Sequence, residues 1–178
     1  RSLGDVLRQQ SGQGILEIQL DRVRPISRWC GVLQDRLAVW RRDDLAIDVI
    51  RGLLASVPGL ESKRVDDVIV GNAVPEAEQG LQVGRIIAAR ALGFEVPGMT
   101  INRYCASGLE SIAIATAKIR TGQADCIVAG GTESMSMVPT AGWKTVPAYS
   151  IAKEDPDYYL SMGLTAEAVA KEYNVSRQ

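Results

Sequence analysis

The sequence of 178 residues contains no histidine, and this absence excludes more chemistry than any other feature of its composition. Histidine is the commonest general base and the commonest metal ligand in proteins. The chain therefore has no Ser-His or Cys-His pair of its own. A nucleophile in this chain must be activated in another way, or by residues that the chain does not contain.

Cysteine is scarce as well, with three residues at positions 30, 105 and 126. An odd number of cysteines without a CxxC spacing predicts neither a disulfide framework nor a zinc site, so we expect no metal. No apolar run approaches the ~20 residues that cross a bilayer, and the first residues do not form a signal peptide. Because free thiols are typical of reducing compartments, we expect a cytoplasmic protein that does not bind membranes.

The chain also lacks an excess of either charge, since 20 basic residues face 21 acidic ones. A net charge of −1 argues against a nucleic-acid partner bound by bulk electrostatics. The hydrophobic fraction of 46% is typical of a globular protein rather than a disordered one.

Residues 1–42 differ from the rest of the chain in composition. They contain eight arginines, no lysine and four acidic residues, and their apolar residues follow no clear period. We interpret this part as an atypical N-terminal segment. Two explanations stay open, namely a reading-frame error upstream of Asp43 and a solvated basic arm that binds a partner.

From Asp43 onward, apolar residues recur alternately at helical spacing and in short buried runs. Helical spacing predicts helices from residues 43, 81, 107 and about 165. Buried apolar runs predict strands over 65–74, 99–102 and 126–129. The resulting order α-β-α-β-α-β predicts an α/β fold with a mostly parallel sheet and helices on both faces.

Two local predictions concern the later part of the chain. In the helix from residue 107, the spacing predicts one apolar side, formed by Leu109, Ile112, Ala113, Thr116 and Ile119. Residues 132–160 are predicted to form loops, and Thr165 is predicted to cap the last helix.

Cys105 stands between a predicted strand and a predicted helix, and the three residues after it are small. At a helix N-terminus, the dipole and the unpaired N–H groups favour thiolate over thiol and can hold an oxyanion. Cys105 is therefore our candidate nucleophile, with a small core residue as the alternative. Cys126 lies within an apolar run, and we interpret it as part of the core.

Four segments of the sequence resemble the thiolase family, in the order and at the spacing that the family has. They are Val68–Val74, Asn102–Glu110, Gly130–Ser136 and Met162–Ala170. The resemblance covers residues 43–178 and only the first half of such an enzyme. It implies a truncated thiolase-like layered fold, with an N-terminal domain over 43–138 and the start of a loop domain over 139–178.

The resemblance also implies an activity. Thiolases transfer an acyl group between a 3-ketoacyl-CoA and coenzyme A through an acyl-cysteine, which would form here on Cys105. Met162 matches a residue that lines the substrate pocket, whereas Glu133 and Ser134 more simply hold a loop. No cofactor is bound permanently, because coenzyme A is a substrate. By resemblance we expect a homo-oligomer when full length, and a role in fatty-acid metabolism such as β-oxidation.

Two alternatives to this activity stay open. Ketoacyl synthase-like condensing enzymes carry a similar cysteine segment, although Ser134–Ser136 and Met162–Gly163 favour thiolases. A catalytically silent fragment is the second alternative. By resemblance, the later half of the enzyme supplies a histidine that takes the proton of the nucleophile, and this chain contains no histidine.

Overall fold

A computed structural model of the protein describes residues 42–135, 137–139 and 141–178. Cys30 and nearly all of the predicted segment 1–42 lie outside the described residues. The chain divides into two compact units, Arg1–Trp143 and Lys144–Gln178, and each is described below by itself.

The first unit alternates helices and strands in the predicted order. Its described helices are α1 (Arg42–Ala55), α2 (Val83–Ala91) and α3 (Ser107–Arg120), and its described strands are β1 (Asp67–Gly71), β2 (Gly98–Ile101) and β3 (Ile127–Gly131). Single turns of 3₁₀ helix occupy Ser62–Arg64, Ala77–Gln79 and Tyr104–Ala106. The first strand is shorter than predicted at its carboxyl end. Asn72 N still donates to Ile101 O, but Ala73 N donates to the carboxylate of Glu133 instead of continuing the ladder.

The three described strands form a parallel sheet in the order β2-β1-β3. In this register Val68 lies opposite Gly98 on one side and Val128 on the other. All five residues of β1 are buried, as expected for the central strand of a sheet that is covered on both faces. The α/β class and the parallel sheet predicted from the sequence are confirmed, and the carboxyl ends of all three strands meet at one edge.

Helices cover the sheet on both faces, because alternate residues of each strand point in opposite directions. Val68, Val70 and Val128 pack with Ile47 of α1 and Ile87 of α2 on one face. The other face of the sheet packs Ile69 and Ile127 against Ala115 of α3. The first unit thus consists of three layers, with the sheet in the middle.

The bounds of α3 match the prediction, but the predicted apolar side is not its buried side. Leu109 is 72% exposed and Ile112 is 45% exposed, whereas Ser107, Ser111 and Ala115 are buried. Small residues face the sheet because the helix backbone lies close to the strands, where large side chains do not fit. The prediction was therefore wrong about which side the sheet covers.

The second unit contains two helices, α4 (Tyr149–Glu154) and α5 (Met162–Glu172), with a 3₁₀ turn over Pro156–Tyr159 between them. The prediction of loops throughout 132–160 was wrong for α4 and for this turn. Thr165 is not the cap of the last helix. The Oγ atom of Ser161 accepts a hydrogen bond from Leu164 N at 3.3 Å, so Ser161 is the N-cap and α5 begins three residues earlier than predicted.

Candidate active site

Cys105 lies in the 3₁₀ turn Tyr104–Ala106, which joins β2 to α3. Its side chain is exposed and its thiol forms no disulfide. The first turn of α3 follows directly, and the N–H groups of a first helical turn have no partner within the helix. The structure therefore places Cys105 at the strand-to-helix junction where the sequence predicted it.

The backbone before Cys105 is strained and held from two sides. Tyr104 has a φ of 46°, a left-handed conformation that costs a residue with a side chain about 1–3 kcal/mol. Asn102 Oδ1 accepts a hydrogen bond from Tyr104 N at 2.8 Å, and Ser107 Oγ donates one to Tyr104 O at 2.6 Å. Ser107 Oγ also accepts from Arg103 N at 2.9 Å. These bonds fix the turn in spite of its strain.

The start of α3 is seated directly on the ends of β1 and β3. A Cβ atom at Gly71 would lie 2.5 Å from the carbonyl carbon of Ser107, so only glycine permits this approach. On the side of β3, the hydroxyl of Ser111 donates to the carbonyl oxygens of Gly108 at 2.6 Å and of Gly130 at 3.0 Å. The strand ends thereby position the helix that follows Cys105.

A polar network surrounds Glu133, which follows β3. One carboxylate oxygen accepts from Gln79 Nε2 at 2.8 Å and from Asn72 Nδ2 at 3.4 Å, and the other accepts from Ala73 N at 2.6 Å. The side-chain oxygen of Gln79 in turn accepts from Ser134 N. Glu133 and Ser134 thus hold the loop after β3 to the loop after β1, in agreement with their interpretation from the sequence.

Two further amide groups belong to the same edge of the sheet. Asn102 Nδ2 donates to the carbonyl oxygen of Ala73 at 2.9 Å, which joins the loops after β1 and β2. Asn72 is 1% exposed, and its Oδ1 atom has no hydrogen-bond partner among the described residues. An unpaired buried acceptor is uncommon in a folded protein. The carboxyl edge of the sheet, which lies near the thiol, is therefore rich in polar groups.

Cys126 lies at the opposite edge, immediately before β3, and packs against the cluster that contains α1 and α2. Burial raises the pKa of its thiol, and the nearby Asp66 carboxylate raises it further. The pKa of Asp66 is lowered, first because its carboxylate accepts a hydrogen bond from Cys126 N and then because it accepts one from Asp125 N. A buried thiol that resists ionisation is poorly suited to nucleophilic attack.

Met162 is the first residue of α5 in the second unit, and it is 71% exposed. The structure describes that unit by itself, so the predicted pairing of Met162 with Cys105 around one substrate stays a prediction. An apolar groove occurs elsewhere, beside α1 and β3, and Val49, Leu53 and Val128 line it. Its lining side chains carry no thiol and no titratable group, so we do not place the chemistry there.

Sequence reasoning missed Asn102 and Ser107 as residues that hold the turn. One signal was available for Asn102, because asparagine after a strand often accepts a hydrogen bond from the backbone N–H two residues on. The two links through Ala73 had no such signal, since they join residues 29 and 60 positions apart in the sequence.

Within the described ranges, no three or more acidic or cysteine side chains cluster closely enough to hold a metal ion. The described helices are also each too short or too polar to cross a membrane.

A sequence profile of the family described as thiolase, N-terminal domain, matches residues 25–178. The matched range includes part of the atypical segment 1–42. The chain is 51% identical over 143 residues to the 3-ketoacyl-CoA thiolase of Bacillus subtilis, a match that covers 80% of this chain and 36% of that protein.

Two further relatives carry different substrate names. The chain is 36% identical over 180 residues to the beta-ketoadipyl-CoA thiolase of Acinetobacter baylyi, covering 89% of this chain and 43% of the relative. It is 36% identical over 171 residues to the 3-oxoadipyl-CoA/3-oxo-5,6-dehydrosuberyl-CoA thiolase of Escherichia coli, covering 86% and 42%. The chain thus spans less than half the length of each of these curated relatives.

Proposed function

This chain belongs to the thiolase family of acyltransferases, and from that premise we propose that it carries the nucleophile of a 3-ketoacyl-CoA thiolase. Cys105 is the nucleophile, and coenzyme A and its acyl thioester are the substrates. The observation that carries this proposal is the exposed thiol of Cys105, held on a strained turn at the start of α3. Strain of this kind persists where surrounding bonds enforce it, and it is commonest at functional sites.

The reaction divides one difficult step into two easier ones. The thiolate of Cys105 attacks the keto carbon of a 3-ketoacyl-CoA, a C–S bond forms, and the neighbouring C–C bond breaks. The electron pair of that bond leaves with acetyl-CoA, whose new carbanion takes up a proton. A second coenzyme A then gives its thiol proton to a base, attacks the acyl-cysteine as a thiolate, takes the acyl group and releases the thiolate of Cys105.

The groups that move protons in this reaction are not histidines of these 178 residues, because the sequence contains none. We assign proton transfer to residues outside this sequence, in the part of the relatives that the chain does not span. The N–H groups in the first turn of α3 follow Cys105 directly, and N–H groups of this kind can stabilise negative charge near the thiol.

The other parts of the proposal come from family membership and from the resemblance. Residues 43–138 form the nucleophile-bearing domain, and 139–178 begin the loop domain, where Met162 lines the acyl and pantetheine pocket. The protein acts in the cytoplasm, in fatty-acid degradation, as a homo-oligomer. The 3-ketoacyl-CoA thiolase of Bacillus subtilis is matched at 51% identity, whereas the two relatives named for beta-ketoadipyl-CoA and 3-oxoadipyl-CoA are matched at 36%. This difference supports a 3-ketoacyl-CoA as the substrate.

Acylation by acetyl-CoA tests the role of Cys105 directly. Trypsin releases residues 104–118 as a peptide that contains Cys105 and no other cysteine. We expect mass spectrometry to find an acetyl thioester on this peptide, and to lose it in Cys105→Ala but not in Cys126→Ala. Acetylation of Cys126 alone, or of neither thiol, would contradict the proposal.

A parallel assay of acetoacetyl-CoA cleavage distinguishes an active enzyme from a catalytically silent chain. Acetylation of Cys105 with cleavage supports a complete active site. Acetylation without cleavage supports a nucleophile that lacks its proton-transfer partners, as the absence of histidine favours. Transfer of the acetyl group to a malonyl thioester instead of coenzyme A would favour the condensing-enzyme alternative.

A further inference from the structure

One continuous path of hydrogen bonds links the three strand ends to the residue before Cys105. The carboxylate of Glu133, after β3, accepts from Ala73 N at 2.6 Å. The carbonyl oxygen of Ala73, after β1, accepts from Asn102 Nδ2 at 2.9 Å. The side-chain oxygen of Asn102, after β2, accepts from Tyr104 N at 2.8 Å. Ala73 and Asn102 each donate one bond of the path and accept the other. Glu133 accepts hydrogen bonds with both of its carboxylate oxygens.

The far end of this path reaches the strained turn. Tyr104 keeps its positive φ only while neighbouring groups enforce it, and Asn102 supplies one of the two side-chain bonds that do so. A side chain that both donates and accepts must keep one orientation, so Asn102 transmits the position of Ala73 to Tyr104. A shift of Ala73 would therefore displace the thiol of Cys105 from the start of α3.

At the near end of the path, more than one hydrogen bond anchors Glu133. Glu133 also accepts from Gln79, which is 1% exposed and whose side-chain oxygen accepts from Ser134 N. Bonds to an ionised acceptor are shorter and stronger than those between neutral groups. They also polarise the Ala73 peptide, which strengthens the bond that its carbonyl accepts from Asn102.

We propose that Glu133 is a positioning residue for Cys105, and that it acts through the Ala73 peptide and the side chain of Asn102. It does not touch the reacting atoms. It holds the strained turn in the arrangement that places Cys105 immediately before the first turn of α3. The importance of this for acyl transfer rests on the proposed function, but the effect on thiol reactivity does not depend on it.

The test is the rate at which iodoacetamide alkylates Cys105, measured on the tryptic peptide 104–118 from about pH 6 to 10, the range in which thiols titrate. We expect Glu133→Gln and Asn102→Ala each to slow alkylation at neutral pH by about threefold or more. Removal of a negative charge alone would favour the thiolate and speed alkylation, so the sign distinguishes positioning from charge.

A double variant tests whether the two residues act along one path. If they do, Glu133→Gln combined with Asn102→Ala slows alkylation no more than the stronger single variant. Multiplied effects of the two single variants would show independent action and would contradict the path through Ala73. Glu76→Gln is the matched control, because its carboxylate holds Trp143 N at 2.6 Å and lies off the path. We expect it to leave the rate unchanged.

Glu133→Asp keeps the charge but shortens the reach, so it serves as the second variant if Glu133→Gln does not fold. We expect it to slow alkylation in the same direction, and an unchanged rate in a folded variant would overturn the proposal. Acetylation of Cys105 by acetyl-CoA is scored separately. Its failure in the wild-type chain would overturn the proposed function alone, whereas unaltered alkylation in the Glu133 variants would overturn the positioning role alone.

Discussion

The chain turns at both edges of the sheet, but different kinds of residue adopt positive φ at the two edges. The turns that lead into the amino ends of β1, β2 and β3 contain Gly59, Gly93 and Gly122, all with positive φ. The loops that leave the carboxyl ends of β1 and β2 place positive φ on residues with side chains instead. These residues are Ala77, Leu81, Gln82 and Tyr104.

Glycine adopts a positive φ at little cost, whereas other residues need surrounding bonds to enforce it. The amino edge is thus built from relaxed turns, and short ties to Asp66 and an ion pair between Asp67 and Lys118 at 2.5 Å reinforce it. The carboxyl edge stores strain beside an exposed thiol. Under the proposed function, the amino edge serves stability and the carboxyl edge serves chemistry.

The largest expected effect concerns the carboxyl edge. Gly71→Ala places a Cβ atom 2.5 Å from the backbone of Ser107, which is too close. The backbones of β1 and α3 can relieve this clash only if α3 moves off the sheet. We expect the free energy of unfolding in urea to fall by about 3 kcal/mol or more.

Gly52→Ala is the matched control for this substitution. A Cβ atom at Gly52 in α1 would meet nothing within 4 Å, so alanine should stabilise the helix by about 0.5–1 kcal/mol. If Gly71→Ala unfolds at the same urea concentration as the wild-type chain, the close seating of α3 on β1 is wrong.

The next prediction compares the two thiols. Cys105 is exposed, whereas Cys126 is half-buried and burial raises the pKa of its thiol. We expect iodoacetamide to alkylate Cys105 about tenfold faster than Cys126 at neutral pH, as followed on their separate tryptic peptides. Partial unfolding in urea should remove most of the difference, and equal rates in the native chain would mean that the edges do not differ in thiol access.

The turns at the amino edge are relaxed only because glycine occupies them, so a residue with a side chain should destabilise them. Gly122 has a φ of 70° with open space around it, so alanine there is strained but not blocked. We expect Gly122→Ala to lower the free energy of unfolding by about 1 kcal/mol without changing the alkylation rate of Cys105. A slower Cys105 in this variant would show that the two edges are coupled.

The smallest expected effect is a dependence of stability on pH at the amino edge. The pKa of Asp66 is lowered in the folded chain by the N–H groups of Cys126 and Asp125. Its stabilising contribution is therefore present above the unfolded pKa, about 3.9, and is lost as the pH falls through the lower folded value.

Asp66→Asn tests this contribution. The carboxylate is exposed and screened, so we expect a loss of about 0.5–1 kcal/mol at pH 7. This loss should start to shrink below about pH 3.9 and disappear once the pH falls below the lower folded pKa of Asp66. Asp48→Asn, on the exposed side of α1, should change little at either pH. A loss from Asp66→Asn that persists unchanged in acid would contradict the role of the ionised carboxylate.

Much of the fold was predictable because its signals are local. The periodic apolar residues of α1 and α3 and the buried run of β1 predicted the element order and the parallel sheet. The buried side of α3 was not predictable from its apolar residues. The approach of β1 at Gly71 selects the small residues Ser107 and Ser111 for that side, and no pattern within α3 itself reports this approach.

The candidate site divides in the same way. The position of Cys105 after a strand and before a helix follows from local signals, because strand and helix periodicity and small residues are properties of neighbouring positions. The meeting of Glu133, Ala73 and Asn102 beside it depends on the fold of the whole sheet. Their contact exists because parallel strands bring their carboxyl ends to one edge, whatever the distance between those ends along the chain.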